Sequence, residues 1–395
     1  MGAILTQAPG ICAAAVNHLL HPLLYWLQLA SIAALLPLLG GRFEDSGVDG
    51  FTIGALMATL PAGRLLAAPL WAMLADRYRL AGAVMRVATI ASALAGVALA
   101  RAESIQALAL CMFTFSAMRA PIGPILDAFV FRDLHERGRP AGEYGRVRLW
   151  GSLGFLCGVV LASLAPRFGW PPYLVADAML LGSAAVSFAL PWQGEGGPAP
   201  ILPALKVLAS EKFFWPLLCA GSLQALTMSV YDTFYSVHVA SLGLPGTIVG
   251  ASVALGVGCE VVLMAFAKPL IARLGLAKTL LMATLSGVPR WLLTAWTADP
   301  TLLVVTQALH GIGFAAFWLA GVQRMSQSAP RSIAASAQSL WAAATYGFGA
   351  LLGALLAGAS RHYYGSSGIF LMTAGVAVLA SGSALWLVRV DDAER

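Results

Sequence analysis

The sequence predicts an all-α membrane protein with twelve transmembrane helices. Of its 395 residues, 59% are hydrophobic and only 11% are charged, and the mean hydropathy is +0.79. A soluble domain would carry about 25% charged residues. The apolar stretches are long and continuous, whereas the strands of a membrane β-barrel would alternate over about ten residues. A bilayer core needs roughly 20 apolar residues per helix, so this length accommodates about twelve spans with their loops.

The predicted spans follow one another with mostly short connections. They lie near residues 10–40, 51–75, 80–100, 104–130, 145–165, 171–191, 213–240, 246–267, 277–297, 300–323, 333–359 and 366–388. The start, MGAILTQAPG, has no basic segment and no small-residue cleavage pattern after it, so the first span is expected to be retained. The five cysteines all lie within predicted spans without CxxC spacing, and neither a disulfide framework nor a metal site is expected.

A polar stretch rich in proline and glycine, QGEGGPAPILPALKVLASEK, divides the chain nearly in half. Weak internal similarity crosses this linker: PLWAMLADRYR (69–79) corresponds to PLIARLG (269–275), and RLWGSLGF (148–155) corresponds to SLWAAATY (339–346). A duplicated six-helix unit leaves such traces. We therefore predict three regions: a six-helix bundle over 1–192, a central cytoplasmic loop over 193–212, and a second six-helix bundle over 213–395.

The distribution of lysine and arginine predicts the orientation. With both termini in the cytoplasm, seventeen of the 24 basic residues lie on the cytoplasmic side and four lie on the opposite side. The remaining three, Arg64, Arg119 and Arg290, lie within spans. The net charge of +6 therefore reflects membrane topology and does not point to a nucleic-acid partner.

Twelve spans, a central loop and short basic turns after spans two and eight resemble the major facilitator superfamily. Its loop signature, glycine-x-leucine-alanine-aspartate-arginine-x-glycine-arginine, is similar to AMLADRYR (72–79), which keeps Asp76 and Arg77 but lacks both glycines. Asp76 and Arg77 are thus expected to form the conformational loop motif. Within the superfamily, YGRVRLWGSLGF (144–155) resembles the 3-phenylpropionic acid permease group and the oligosaccharide:proton symporters of the lactose permease type. The resemblance implies a permease of the bacterial inner membrane that works as a monomer.

Further matches to that group lie in later spans. They are PILDAF (124–129) with Asp127, VYDTF (230–234) with Tyr231 and Asp232, GCEVVL (258–263) with Glu260, GVPRWLL (287–293) with Arg290, and QALHG (307–311) with His310. Two departures bear on mechanism. Gly313 stands where lactose permease-like proteins carry a proton-accepting glutamate, and Tyr346 occupies the position of the lysine that pairs with the seventh-span aspartate.

Charged residues inside spans are the candidate functional residues. Such a residue at the centre of a membrane helix costs about 2.5–3.5 kcal/mol on insertion scales, so it needs a partner, a water-filled cavity or a task. By depth along their helices, five lie near the midplane: Arg64, Arg119, Glu260, Arg290 and His310. Asp232 lies toward the outer side, and Asp127 and Arg148 lie toward the cytoplasmic ends of spans four and five.

Asp127 and Arg148 lie at similar depth on adjacent antiparallel helices, so we expect them to pair across the inner cavity. The resemblance implies that Arg148 holds substrate and that Asp127 is its acidic partner. The alternative for Arg148 is an interfacial arginine that extends to lipid head groups. For Arg119 the alternative is a partnership with a backbone carbonyl freed by Pro121 or Pro124.

Charge counting favours an anionic substrate, because the buried arginines outnumber the buried acids by one when all are ionised. The planar fork of arginine donates two parallel hydrogen bonds to a carboxylate. The predicted substrate-binding residues are Arg64, Arg119, Asp127, Arg148, Tyr231, Asp232, Tyr235 and Trp318. For the three aromatic residues, lipid-facing or interhelical packing is the alternative.

The predicted proton-coupling group is Glu260, Arg290 and His310. The proton affinity of a buried carboxylate depends on its burial and on nearby charge, so a change of spacing can load or release a proton. Glu260 is the first choice of proton carrier, and Asp127 or Asp232 is the next. The alternatives are a buried charge pair that fixes helix packing and, for His310, an ordinary hydrogen-bonded core histidine.

These patterns predict a symporter that takes up a small organic solute with protons by alternating access. An organic anion, aromatic acids included, is favoured over a sugar or a nucleoside. An exporter of drugs or metabolites is the alternative with the same fold, and a non-transporting receptor or an intramembrane enzyme is the alternative of another class. The sequence contains no HExxH motif, no GxSxG motif in a suitable context and no paired aspartate motif, so it does not favour an enzyme. The expected partners are the substrate and the bilayer, and no cofactor is expected beyond H⁺ as the coupling ion.

Overall fold

The computed structural model describes residues 19–35, 50–170, 173–190, 192, 201–330 and 333–393, and within these ranges the chain is helical without strands. Short 3₁₀ turns lie at Ala141–Glu143 and Ala165–Phe168, and π-helical segments lie at Ile312–Ala316 and Ala343–Gly349. The α-helices are α1 (Leu19–Leu35), α2 (Gly50–Arg77), α3 (Ala81–Arg101), α4 (Ile105–Arg119), α5 (Ile122–Glu136), α6 (Tyr144–Leu164), α7 (Tyr173–Ala189), α8 (Ile201–Ser210), α9 (Phe214–Ser241), α10 (Thr247–Ala265), α11 (Ala267–Leu274), α12 (Leu276–Trp296), α13 (Pro300–Thr306), α14 (Ala308–Gly311), α15 (Phe317–Ser328), α16 (Ala334–Ala342) and α17 (Ala350–Ala393).

Eight helical runs in the described ranges are long and apolar enough to cross a membrane. They are Phe51–Ala75, Ala81–Arg101, Ile105–Glu136, Ala141–Ala162, Thr247–Ala265, Pro300–Ser328, Ser336–Arg361 and Tyr363–Ala393, and the bent pair α11–α12 makes a ninth if it counts as one span. α1 and α7 are shorter apolar helices, and α9 lies where the seventh span was predicted. The prediction of a helical membrane protein is confirmed, whereas the count of twelve stays a prediction.

Two glycines set the positions at which helices break. Gly275 separates α11 from α12 with φ 77°, and the axes of these helices differ by 107°. Gly365 interrupts α17 with φ 64° and ψ −175°. Both φ values lie in the region that glycine adopts without the steric cost of a Cβ atom. The predicted eleventh and twelfth spans therefore meet at a kink rather than at a loop.

The predicted central loop is not wholly irregular. Residues 193–200 lie outside the described part of the chain, but residues 201–210 of the loop form helix α8. Leu208 of this helix is buried in the same apolar cluster as Phe213 and Phe214 at the start of α9. The apolar residues of this segment therefore anchor it against the helices, which the proline and glycine content did not predict.

Helices within each half pack closely at small residues. Gly154 and Gly158 of α6 lie directly against the backbones of Trp26 and Ala30 of α1, where an added Cβ atom would collide. In the second half, Gly353 of α17 lies in the same way against Leu226 of α9. Such contacts are typical of membrane helices, because small residues let the backbones approach and gain van der Waals contact.

The two halves meet along several helix interfaces. α2 packs against α16 and α17, where Gly54 approaches Gly358, and α5 also packs against α16. α6 packs against α10, and at the predicted cytoplasmic end of this interface Lys268 Nζ lies 3.3 Å from Glu143 Oε1. The ion pairs found in the described ranges all lie near helix ends or in connections. The charged residues deep in the spans must therefore be satisfied in other ways.

Candidate functional site

Glu260 of α10 faces α6 across the interface between the halves. It is only 5% exposed, and its Oε1 accepts a hydrogen bond of 2.5 Å from Ser152 Oγ. Arg148, one turn earlier on α6, is 6% exposed and interacts electrostatically with Glu260. The two do not form an ion pair within 4.0 Å, and the buried Nη1 of Arg148 has no hydrogen-bond partner among the protein atoms. A carboxylate of one half thus lies beside an incompletely satisfied guanidinium of the other.

Asp127 is held by tyrosines. It is buried in α5, and its Oδ1 accepts hydrogen bonds from the hydroxyl groups of Tyr25 and of Tyr144, the latter at 2.7 Å. The Tyr144 hydroxyl in turn accepts a hydrogen bond of 3.1 Å from Trp318 Nε1 of α15. A chain of hydrogen bonds therefore links Asp127 in the first half to Trp318 in the second.

The predicted direct pair of Asp127 with Arg148 is not formed in this structure. The two tyrosine hydroxyls donate to Oδ1 of Asp127, while the Arg148 guanidinium lies 5.7 Å from the ring centres of both Tyr25 and Trp318. Aromatic faces attract a guanidinium. Because Arg148 is buried, the alternative of an interfacial arginine reaching lipid head groups does not fit its position either.

Tyr346 lies at the centre of the charged group. It belongs to the π-helical segment Ala343–Gly349, and the Arg64 guanidinium lies 5.1 Å from its ring centre. Trp318 packs edge-on against it at 5.3 Å. Arg148, Asp232 and Glu260 also lie within electrostatic range of its side chain. π-Helical turns inside α-helices are frequent at functional sites, and here the turn brings Tyr346 between charged groups of both halves.

Arg290 forms a separate group in the second half. It is 1% exposed on α12, and its Nε and Nη2 donate to Gln307 Oε1 at 2.9 and 2.8 Å. The guanidinium also lies 4.4 Å from the ring centre of Tyr231 and 4.0 Å from that of Trp291. Asp232, which is exposed on α9, interacts with Arg290 electrostatically. The amide and the two rings stabilise the buried guanidinium without a direct carboxylate contact.

The predicted group of Glu260, Arg290 and His310 is divided in the structure. His310 lies with the Arg290 group, and its ring is 5.8 Å from the ring centres of Tyr231 and of Phe314. The Glu260 side chain extends to Ser152 of the first half instead. The Nε and Nη2 of Arg290 donate to Gln307 Oε1 rather than to the Glu260 carboxylate.

The remaining predicted residues occupy different surroundings. Tyr235 is buried in the second half and shares a hydrogen bond of 2.8 Å with Ser252, which fits the packing alternative. Arg119 of α4 donates through Nη2 to the carbonyl of Gln28 at 3.0 Å, a carbonyl of α1 rather than one freed by a nearby proline. Asp76 and Arg77 end α2, and their side chains lie outside the part that the structure describes.

Several uncharged members of the site were not predicted from the sequence, namely Tyr25, Tyr144, Ser152 and Gln307. Tyr144 and Ser152 lie inside the motif YGRVRLWGSLGF, and Gln307 is the first residue of QALHG. The motifs therefore contained these residues, but a hydroxyl or amide inside an apolar span carries no signal of its own. Tyr346 was noticed only as a departure from the lactose permease pattern.

Comparisons with known proteins agree with this architecture. A family model described as the MFS_1 like family matches residues 20–372. The maltose permease of Geobacillus stearothermophilus is 31% identical over 351 residues, covering 87% of this chain and 88% of the relative. The probable 3-phenylpropionic acid transporter of Escherichia coli (strain K12) is 28% identical over 366 residues, covering 90% and 94%. The crystal structure of the nucleoside transporter NupG superimposes with a TM-score of 0.71 at 19% identity, covering 94% of this chain and 98% of that one, which shows a common fold.

Proposed function

Because the chain belongs to the MFS_1 like family, we propose that it is a proton-coupled transporter that brings a small organic anion into the cell. Its relatives are membrane transporters, and the chain is a multi-pass membrane transporter rather than an enzyme. We propose the class of its substrate, its coupling ion and the direction of transport.

The observation that supports an anionic substrate is the unpartnered buried donor of Arg148. Each acid in its vicinity already has a hydroxyl donor: Asp127 has two tyrosines and Glu260 has Ser152. Arg148 keeps a buried donor without a partner. A buried donor left unsatisfied is costly, and a carboxylate is the group that matches the guanidinium fork. Residues of both halves surround this arginine, so a carboxylate bound there would be held between the halves.

Glu260 is the proposed proton carrier. It is buried in the interface between the halves, and both its hydrogen-bond donor Ser152 and the nearby Arg148 belong to the opposite half. When the halves move apart, Glu260 loses these partners and is exposed to water. This changes the relative free energies of its charged and neutral forms, so the carboxylate can exchange a proton as the transporter alternates.

We further propose that residues 1–192 and 213–395 move as two six-helix bundles joined by 193–212, with both termini in the cytoplasm. The contacts across α6 and α10, including Lys268 with Glu143, would then form and break during alternating access. Asp76 and Arg77 keep their proposed role in the conformational loop, and a monomer is the proposed working unit.

A neutral sugar is the second candidate, because the relative with 31% identity is named a maltose permease. Tyr25, Tyr144 and Ser152 could donate to or accept from sugar hydroxyls, and the Trp318 indole could pack against a sugar ring. In that case Arg148 would bind a hydroxyl group, and its charge would be balanced by Glu260 alone.

A ligand screen tests the substrate class. We expect small carboxylates to raise the thermal unfolding temperature of the purified protein, because a ligand that binds only the folded state at 100 times its Kd adds about 2.7 kcal/mol of stability. The panel pairs each carboxylic acid with its neutral amide and adds sugars and nucleosides. Stabilisation by a sugar or nucleoside, with none by any carboxylate, would contradict an anionic substrate.

A further inference from the structure

A pocket lies inside the first half, beside the central charged group. Its polar members are Arg64 of α2 and Ser116 and Arg119 of α4, and its walls are mainly apolar, with Leu35, Leu60, Leu99 and Phe115 from four helices. Arg64 also lies over the ring of Tyr346, so the pocket adjoins the central site at this arginine. The pocket therefore combines positive charge at one end with an apolar body.

The two arginines carry more positive charge than their surroundings neutralise. Arg119 is only 8% exposed, and its Nε is buried without a hydrogen-bond partner. Its two other nitrogens donate to neutral groups of α1, the Gln28 carbonyl at 3.0 Å and the Ser31 hydroxyl at 3.4 Å. Neither Arg64 nor Arg119 forms an ion pair with a carboxylate in the described ranges.

Arg64 and Arg119 line the same pocket, and their like charges repel each other there. Two like charges in a medium of low dielectric raise the energy of the empty site. An anion between them would replace this repulsion with two attractions. A second observation points the same way, since the unpartnered Nε of Arg119 offers a buried donor for such an anion.

We propose that this pocket binds a monocarboxylic acid, with the carboxylate between Arg64 and Arg119 and a compact apolar body against Leu60 and Phe115. A carboxylate suits two guanidinium groups because each can donate to one or both of its oxygens. The apolar walls favour a hydrocarbon or aromatic body over a sugar. This inference rests on the proposed transport of an organic anion and extends it, by adding a second carboxylate subsite within the first half, separate from the contact proposed for Arg148.

The test is a calorimetric titration of the full-length protein in lipid nanodiscs with benzoate and 3-phenylpropanoate. Arg64→Gln and Arg119→Gln should each weaken binding about 10- to 100-fold, the range that the loss of a hydrogen bond to a charged group produces. Leu60→Trp keeps both arginines and fills the apolar end, so it should weaken 3-phenylpropanoate binding more than benzoate binding. Arg273→Gln is the matched control, because Arg273 is exposed on α11, and it should bind both acids like the wild type.

The titrations distinguish a failure of the pocket subsite from a failure of the proposed anionic substrate. If the wild type binds carboxylates and all three pocket variants bind them equally well, the pocket is not the subsite, while the anionic substrate still stands. If the wild type binds no carboxylate, both ideas fail. If chloride or sulfate competes at the same concentration as the organic acids, the site is for inorganic anions and the proposed monocarboxylate class is wrong.

Discussion

Replacing Glu260 by glutamine is expected to abolish pH-driven accumulation of the substrate while leaving counterflow exchange intact. The amide cannot carry a proton, but it can still accept the hydrogen bond from Ser152 Oγ that the carboxylate accepts in the structure. The bundle contacts should therefore persist and the substrate should still cross. The measurement uses proteoliposomes: uptake with an acidic exterior gives the accumulation ratio, and exchange of labelled for unlabelled substrate gives counterflow.

Glu211→Gln is the matched control, because Glu211 is an exposed acid on the connection between α8 and α9. This variant should accumulate substrate like the wild type. Uphill uptake that survives in Glu260→Gln would remove Glu260 from the coupling path and direct attention to Asp127 or Asp232. Loss of counterflow together with uphill uptake would show that Glu260 holds the substrate or the fold rather than the proton.

Replacing Arg148 by glutamine is expected to weaken the binding of a carboxylate substrate strongly. The replacement removes the buried guanidinium, and we expect the Kd to rise about 10- to 100-fold, because hydrogen bonds to charged groups contribute about 1.5–3 kcal/mol. Arg148→Lys should recover only part of the affinity, since an ammonium group lacks the planar fork. Isothermal titration of the purified variants measures both changes.

Arg146→Gln is the control for Arg148. Arg146 lies two residues earlier on α6 but is exposed, so it has the same residue type on the same helix without the buried surroundings. We expect its substrate affinity to equal that of the wild type. Equal weakening in the two variants would indicate a general loss of positive charge near the membrane surface, and unchanged affinity in Arg148→Gln would refute the proposed carboxylate contact.

Much of the fold follows from the sequence. The bilayer imposes a minimum length and an apolar character on each spanning helix, so the helical runs found in the structure lie close to the predicted spans. The deviations arise from local features. Gly365 permits a kink that joins two predicted spans, and the apolar residues of α8 order part of the predicted loop.

The candidate site was predictable in its charges but not in its pairings. Arg148, Glu260 and Arg290 could be identified as candidates from the sequence, because a charged residue in a membrane helix has a large insertion cost. The partners of these residues depend on how the helices pack against one another. They also depend on uncharged side chains, which have no comparable insertion cost and so are not marked in the sequence. Asp127 and Arg148 lie in the same group, as their depths predicted, but Asp127 accepts hydrogen bonds from two tyrosine hydroxyls instead of pairing with Arg148. Similarly, Gln307 takes the place that the sequence assigned to Glu260 beside Arg290.

Uphill uptake by wild-type proteoliposomes tests whether a proton gradient drives the entry of an organic anion. A labelled carboxylate identified by the ligand screen is supplied outside at acidic pH, with protein-free and Glu260→Gln liposomes correcting for passive entry of the neutral acid. We predict that the wild type accumulates the carboxylate above both controls and that a protonophore abolishes the difference. Accumulation equal to that of the protein-free liposomes, or unchanged when the proton gradient is dissipated, would show that protons do not drive entry of the carboxylate through this protein.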